Sequence, residues 1–196
     1  MLWRIAGPVV AVVVAIAAGA LLTPNDGATE AAPPEPVAVT SDAPRSASLQ
    51  ELAGAADLVV RAKVVGVERG RVFGEPGGGA VVSRVVTLEV AEVLRGPTPG
   101  QPVLRVEEEG WLEDGTPLIV DGLAPSAVGD DGIWFLTAVG TADAPVYVVG
   151  SAEGRYLVDG DGLVGAEGDD PLVAELAALS MEALTARIAA LPTPTG

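Results

Sequence analysis

The residues that could do chemistry in this chain are almost all carboxylates. They fall in clusters: Glu107-Glu108-Glu109, Glu113-Asp114, Asp130-Asp131, Asp159 with Asp161, and Asp169-Asp170. Two carboxylates can hydrolyse a glycosidic bond, one as acid and one as base or nucleophile. Glu107 and Glu109 share one face of a predicted strand, so they are close enough for that chemistry. Trp111 is the one nearby aromatic ring that a sugar could stack on. A solvated strand face is the simpler reading of the same residues. Calcium takes several carboxylate and carbonyl oxygens, and Asp159-Gly160-Asp161-Gly162 offers two carboxylates. The loop lacks the remaining ligand positions and the distal Glu of the known calcium loop, and Asp-Gly is also a favoured hairpin turn. Asp159 and Asp161 are therefore weak metal candidates, and Asp169 and Asp170 read as helix caps.

What is missing narrows the chemistry further. The chain has no histidine and no cysteine. A Ser-His-Asp triad, a thiolate nucleophile, a disulfide and a His or Cys zinc site are all excluded. Gly77-Gly78-Gly79 has no following Lys-Ser/Thr and no helix behind it, so it reads as a flexible loop and not a phosphate cradle. Lys63, the only lysine, lies between β-branched neighbours, with no Schiff-base motif around it. No catalytic residue and no cofactor is assigned.

Eleven basic residues face 27 acidic ones among 196, for a net charge of -16. That charge repels phosphate backbones, so nucleic acid is not an expected partner. Hydrophobic residues make up 49% and aromatics 4%. A real core is available, and it must be built mainly from Val, Leu and Ala. The abundance of Ala, Gly, Val, Pro and Arg suggests a GC-rich bacterial genome.

Arg4 precedes an apolar run over residues 5–22, at the lower edge of a bilayer-spanning length. Ala18-Gly19-Ala20 is a plausible cleavage site, but Leu21 and Leu22 carry the apolar run past it. We expect a signal anchor over 1–22 inserted in the cytoplasmic membrane, with the rest outside the cell; a cleaved signal peptide would make the protein secreted. Residues 23–47 are rich in Pro and Ala and read as a disordered linker.

Ser48 with Glu51 forms a capping-box pattern, which predicts a short helix from about Leu49 to Ala55. Two long β-branched runs follow. In the first, Leu58, Val60, Ala62 and Val64 share one face and Arg61 and Lys63 the other, which is expected to be partly wet. The second runs from about Val81 to Leu94, with Val86, Leu88 and Val90 on one face. Val93-Leu94 falls out of step, which hints at a bulge. A glycine-rich loop over 70–79 joins the two runs. Shorter strands are expected at 103–107, 118–120, 132–139, 145–149 and 155–158, and a turn at Asp159–Gly162 leads into Leu163-Val164. Asp170-Pro171 opens a helix with Leu172, Val173, Leu176 and Leu179 on one face. Ser180 restarts it, with Leu184, Ile188 and Leu191 apolar.

The run Ala56-Asp57-Leu58-Val59-Val60-Arg61-Ala62-Lys63-Val64 resembles the opening strand of the tissue inhibitors of metalloproteinases and related netrin-type modules. Arg84 through Gly96-Pro97 is similar to their second strand, which also ends in a basic residue, Gly and Pro. Tyr147 to Gly154 is similar to a later strand and turn. The resemblance covers roughly half of the chain. It implies a mainly β fold, an OB-type barrel of about five strands at 48–168. A short N-terminal helix and C-terminal helices at 169–191 would pack on it, leaving a tail at 192–196. Those inhibitors chelate an enzyme's zinc through an N-terminal cysteine, which this chain lacks, so that mechanism does not carry over.

Trp134 lies in a strand and is expected in the core, as are Tyr147 and Tyr156. Trp111 falls in what reads as a polar loop, where a large ring could anchor a partner. Trp111 and Glu109 are the partner-binding candidates. The expected function is a monomeric, noncatalytic binding domain for a protein or cell-envelope component. The contact surface is expected on the open barrel face and the loops 70–79 and 108–116. A carboxylate hydrolase of envelope polymers and a calcium-dependent envelope module are the alternatives.

Overall fold

The computed structural model describes residues 34–40, 45–74, 80–141, 144–149, 152–166 and 170–192. Its elements, in chain order, are β1 (Val37–Val39), α1 (Leu49–Ala55), β2 (Leu58–Phe73), β3 (Val81–Arg95), β4 (Val103–Leu112) and β5 (Leu118–Val120). They continue with β6 (Asp131–Thr141), β7 (Ala144–Val149), a 3-10 turn at Ala152–Gly154, β8 (Arg155–Asp159), β9 (Gly162–Val164), α2 (Pro171–Ala177) and α3 (Met181–Ala189). The apolar run at 5–22 lies outside the described residues. Among those described, no helix is long and apolar enough to cross a membrane.

The fold is mainly β, and five of its strands close a ring. β2 pairs with β3, β3 with β4, β4 with β7, β7 with β6, and β6 with β2. Every pairing in the ring is antiparallel except β4 with β7, which is parallel. β8 and β9 extend the sheet beyond β6.

Alternation in the strands builds the ring's interior. Leu58, Val60, Ala62 and Val64 of β2 meet Val86 and Leu88, Leu104 and Val106, and Trp134 and Leu136 in one buried cluster. The opposite face of β2 is not uniformly wet. Val59, with Ile133 and Phe135 of β6, packs into a second cluster beneath α1, α2 and α3. Burial on both faces explains why Leu58-Val59-Val60 and Ile133-Trp134-Phe135-Leu136 run apolar without alternation. Farther along β2 the helices no longer cover the sheet, and Lys63 is exposed. Tyr156 belongs to the helix-side cluster and meets Phe135 edge to face at 6.3 Å. Tyr147 packs, half-buried, against the ring interior.

The helices are fastened locally. The Ser48 hydroxyl accepts the Glu51 N–H at 3.2 Å. The Glu51 carboxylate reaches back to the Ala47 N–H at 2.9 Å, one residue before the cap. Asp170 accepts the N–H groups of Leu172 and Val173, and Ser180 that of Ala183. Gly96, at φ +93, ends β3 where any Cβ would run into the Asp57 carbonyl oxygen. Two residues of β3, Leu94 and Ala91, are skipped in the pairing with β2, which places the expected bulge near Val93-Leu94.

Three expectations change. The segment read as a disordered linker over 23–47 contains β1, which pairs in parallel with β5. A pattern of alternating Val and Ala is too short to register against the surrounding prolines. The loop expected over 70–79 starts later, because β2 continues to Phe73 with Arg71 and Phe73 paired on its outer side. β4 runs to Leu112 and not to 107, so Trp111 is a strand residue and not part of a polar loop. Three consecutive glutamates and a glycine hide that strand from propensity.

Candidate functional site

The ring interior does not end in apolar side chains. Arg84 of β3 and Glu108 of β4 are register partners on the inward face, one step beyond Val86 and Val106. Arg155, first residue of β8, comes in across Trp134. Ser126, on the segment between β5 and β6, joins them. The Arg155 guanidinium donates to Glu108 Oε1 at 3.0 Å, to the Ser126 hydroxyl and to the Ala124 carbonyl. Ser126 donates to Glu108 Oε1 at 2.7 Å, and Arg84 donates to the Ser126 carbonyl at 2.7 Å. Arg155 and Glu108 are almost wholly buried, with side chains 5% and 10% exposed. The Nε atoms of Arg84 and Arg155 are buried without a hydrogen-bond partner. Burial pulls Arg84 below the usual guanidinium value; Glu108 opposes that pull and Arg155 adds to it.

Trp111 lies at the rim of this network. Its ring centroid is 4.5 Å from the Arg84 guanidinium and 5.2 Å from that of Arg69 on β2. Both distances fall within cation–π range. Trp111 pairs with Val82, and the chain bulges at Gly110 to bring it there. A Cβ at Gly110 would stand 2.7 Å from the Val82 carbonyl oxygen and 3.1 Å from the Arg84 nitrogen, so only glycine lets the strands approach. Arg69 is directly across from Arg84 in the β2–β3 ladder. The rim therefore sets Arg69 and Arg84 against Trp111, with Glu108 and Arg155 beside Arg84.

The outer face of the same strands carries a separate ion pair. Arg71 grips Glu107 with both arms, at 3.0 and 2.8 Å, and Ser83 donates to the same carboxylate at 2.7 Å. Burial alone would raise the Glu107 pKa, but the bonds from Arg71 and Ser83 outweigh it and hold the carboxyl below its usual range. Glu107 is thus kept ionised. Glu109, two residues on, is exposed and joins no ion pair among the described residues.

A third polar cluster lies on the helix side. Arg45, from the segment before α1, stands 3.5 Å from Asp121, 3.5 Å from Glu153 and 3.3 Å from Asp170. The side chains of Glu153 and Asp121 are 0% and 3% exposed. The Tyr156 hydroxyl is buried nearby without a hydrogen-bond partner. Burial, with the charges of Glu153 and Asp170, pushes its pKa far above the ordinary phenol value. A cleft of about 370 Å³ opens between α1 and α3, lined in part by Leu49, Leu191 and the Glu175–Arg187 ion pair.

Of the residues singled out from sequence, Trp111 and Glu108, the middle member of the glutamate cluster, enter the rim. Glu109 flanks it on the opposite face of β4. Asp159 and Asp161 are exposed in the β8–β9 hairpin, where Gly160 at φ +57 occupies the first central position of the turn. Among the described residues, no group of three or more acidic side chains is arranged to hold a metal. Sequence reading missed Arg69, Arg84, Ser126 and Arg155. A charged residue interrupting an apolar face, as Arg84 does between Val82 and Val86, is the signal that could have found the rim. No protein-family model matches this chain, and no curated protein matches it.

Proposed function

We propose that this chain is a noncatalytic binding domain, held outside the cytoplasmic membrane by its N-terminal segment, that takes a partner at the β2–β3–β4 rim. The five-stranded ring, with its single parallel pairing, supports an OB-type barrel as the frame. Two of the three segments that resemble netrin-type modules fall on its β2 and β3. Barrels of that type leave a strand face open to ligands, and the rim lies at one end of that face.

The observation that carries this reading is the Arg69–Trp111–Arg84 grouping on a chain of net charge -16. Arginine and tryptophan are the side chains most often responsible for binding energy at interfaces. Val72 and Phe73 are 55% and 42% exposed at the far end of β2 and extend the rim with apolar surface. Of the two carboxylates that could serve hydrolysis, Glu107 and Glu109, the first is already fixed by Arg71 and Ser83.

Site-directed photocrosslinking in cells tests the proposal on the full chain. A photoreactive residue at Val72 is expected to yield discrete crosslinked products, whereas one at Glu182 on α3 is not. Equal patterns at both positions, or none at Val72, would overturn it. A C-terminal tag should be digested by protease added to intact cells; a protected tag would place the domain inside.

A further inference from the structure

We infer that the outer edge of β2, over residues 66–69, receives an extended acidic peptide as an added strand, with Arg69 as its charge anchor. The inference rests on the binding role just proposed and names the chemistry of the partner. β2 is 16 residues long, but β6 covers only Leu58 to Lys63. The segment before β6 then covers Val64, through the Asp130 carbonyl at 2.8 Å and the Gly129 N–H at 2.9 Å. Beyond Val64, β3 is the only strand partner of β2 among the described residues. Among the described residues, nothing pairs there with the backbone N–H and C=O groups on its other side. Natural edges are usually blunted by charged side chains, proline or bulges. Residues 65–73 contain no lysine or proline and expose Val65, Val72 and Phe73, while Glu68, Arg69, Arg71 and two register shifts restrict what can pair there.

The irregularities in the ladder set the length of the site. Register shifts fall between Val64 and Gly66 and between Arg69 and Val72. Between them Gly66, Val67, Glu68 and Arg69 pair in step with Thr87, Val86, Val85 and Arg84. Four regular residues can template a short strand and no more.

Charge sets its composition. Arg69 and Arg84 are directly opposed, an arrangement that is unfavourable without an anion nearby. Glu108, the register partner of Arg84, offsets that charge, whereas Arg69 has no carboxylate within ion-pair distance among the described residues. Arg84 is held by the Ser126 carbonyl, which leaves Arg69, exposed on the same face, as the free cation of the rim. Glu68, the other charged residue of the window, is occupied by Arg105 at 2.7 Å. The net charge of -16 repels extended polyanions at long range. A short strand with one or two local carboxylates among apolar residues avoids that repulsion. Its backbone would supply affinity and its alternate side chains selectivity.

The probe is a fluorescent, C-terminally amidated tetrapeptide of alternating Val and Glu, titrated against the full chain. Comparators replace Glu by Lys, or N-methylate alternate residues. The Glu peptide is expected to bind at least about tenfold tighter than either comparator. It should also slow hydrogen exchange at the amides of 66–69. Arg69→Glu should abolish the preference and Arg69→Lys should keep most of it, with thermal melts verifying that both variants are folded. Equal binding of the Lys peptide, protection outside β2, no effect of Arg69→Glu, or no binding at millimolar peptide would overturn the inference. If crosslinking at Val72 persists in any of those cases, the strand-addition site falls and the broader binding role stands.

Discussion

The Nη1 nitrogen of Arg45 stands 3.5 Å from Oε1 of Glu153, a carboxylate with no exposed surface, across 108 residues of sequence. The Ser46 N–H reaches the other oxygen of Glu153 at 3.4 Å. The segment leading out of the N-terminal region is therefore fastened to the strand domain by a charge, in addition to the β1–β5 pairing. Removing Arg45 leaves Glu153 buried without its counter-ion. Arg45→Ala is expected to destabilise by about 1–3 kcal/mol, at the low end because Arg45 is 45% exposed. Urea melts of the single variant and of Arg45→Ala with Glu153→Gln measure it. The double variant should recover most of the loss, and failure to recover would mean that Arg45 acts through Asp121 or Asp170 instead.

The Arg155–Glu108 pair is a different case, because both partners are buried. Breaking such a pair leaves an uncompensated charge and costs about 3–5 kcal/mol, whereas replacing both by apolar residues is often neutral. Glu108→Gln or Arg155→Met alone should lower the denaturation midpoint sharply. Arg155→Met with Glu108→Leu should lie much closer to wild type. A double variant as unstable as the singles would show that Ser126 and Ala124 also need the guanidinium.

Much of this architecture is legible in sequence where the cause is local. Ser48, Asp170 and Ser180 cap the helices that their positions predict, and Leu58, Val60, Ala62 and Val64 face inward as their spacing requires. What is hidden depends on partners far along the chain. Val59 reads as an outward residue until α1 and α3 cover it. Trp111 reads as a loop residue because Glu107-Glu108-Glu109-Gly110 looks unlike a strand, and only the pairing with β3 makes it one. The rim itself needs β3, β4, β8 and the segment at Ser126 to converge, and no single stretch carries that information.

Gly96 gives a sharp test of the β3 end. At φ +93 it occupies a region that L side chains rarely adopt, and a Cβ would collide with the Asp57 backbone. Gly96→Ala is expected to destabilise by more than the ~1 kcal/mol that a strain-free glycine replacement can add to stability. A thermal melt suffices to measure the cost. Gly100→Ala, where nothing lies within 4 Å of the added carbon, is the control and should be close to neutral.

Among the described residues, three carboxylates are held below their usual range, Glu107, Asp114 and Asp170; Asp114, bonded by the Thr116 N–H, is on the surface, so acid sensitivity should concentrate at the other two. Burial raises the Asp170 pKa, but the N–H groups of Val173 and Leu172, with Arg45, more than reverse this and hold it below its usual value. Glu107 is likewise depressed. A depressed folded-state pKa adds stability above the unfolded value of about 4, and that stability is lost as pH falls through the folded value. Urea midpoints measured from pH 6 down to pH 3 should therefore fall more steeply for wild type than for Asp170→Asn, which keeps a cap but does not titrate. Parallel curves would remove Asp170 from the account. The comparison between proteins cancels the relief of bulk negative charge on acidification.

Tyr156 sets the alkaline limit. Its hydroxyl is buried without a partner, and burial plus the Glu153 and Asp170 charges raise its pKa. The sign is opposite to that of the carboxylates. Stability from keeping the phenol neutral is full below the unfolded value of about 10 and is lost as pH rises toward the folded value. Tyr156→Phe keeps the ring that meets Phe135 and removes the unsatisfied hydroxyl. It is expected to stabilise by about 1 kcal/mol at neutral pH, since a buried unpaired polar group costs on that order. It should also flatten the decline between pH 9 and pH 11. Chemical denaturation of both proteins across that range decides it. A destabilised Phe variant would mean that the hydroxyl has a partner, most simply a bound water shared with Glu153.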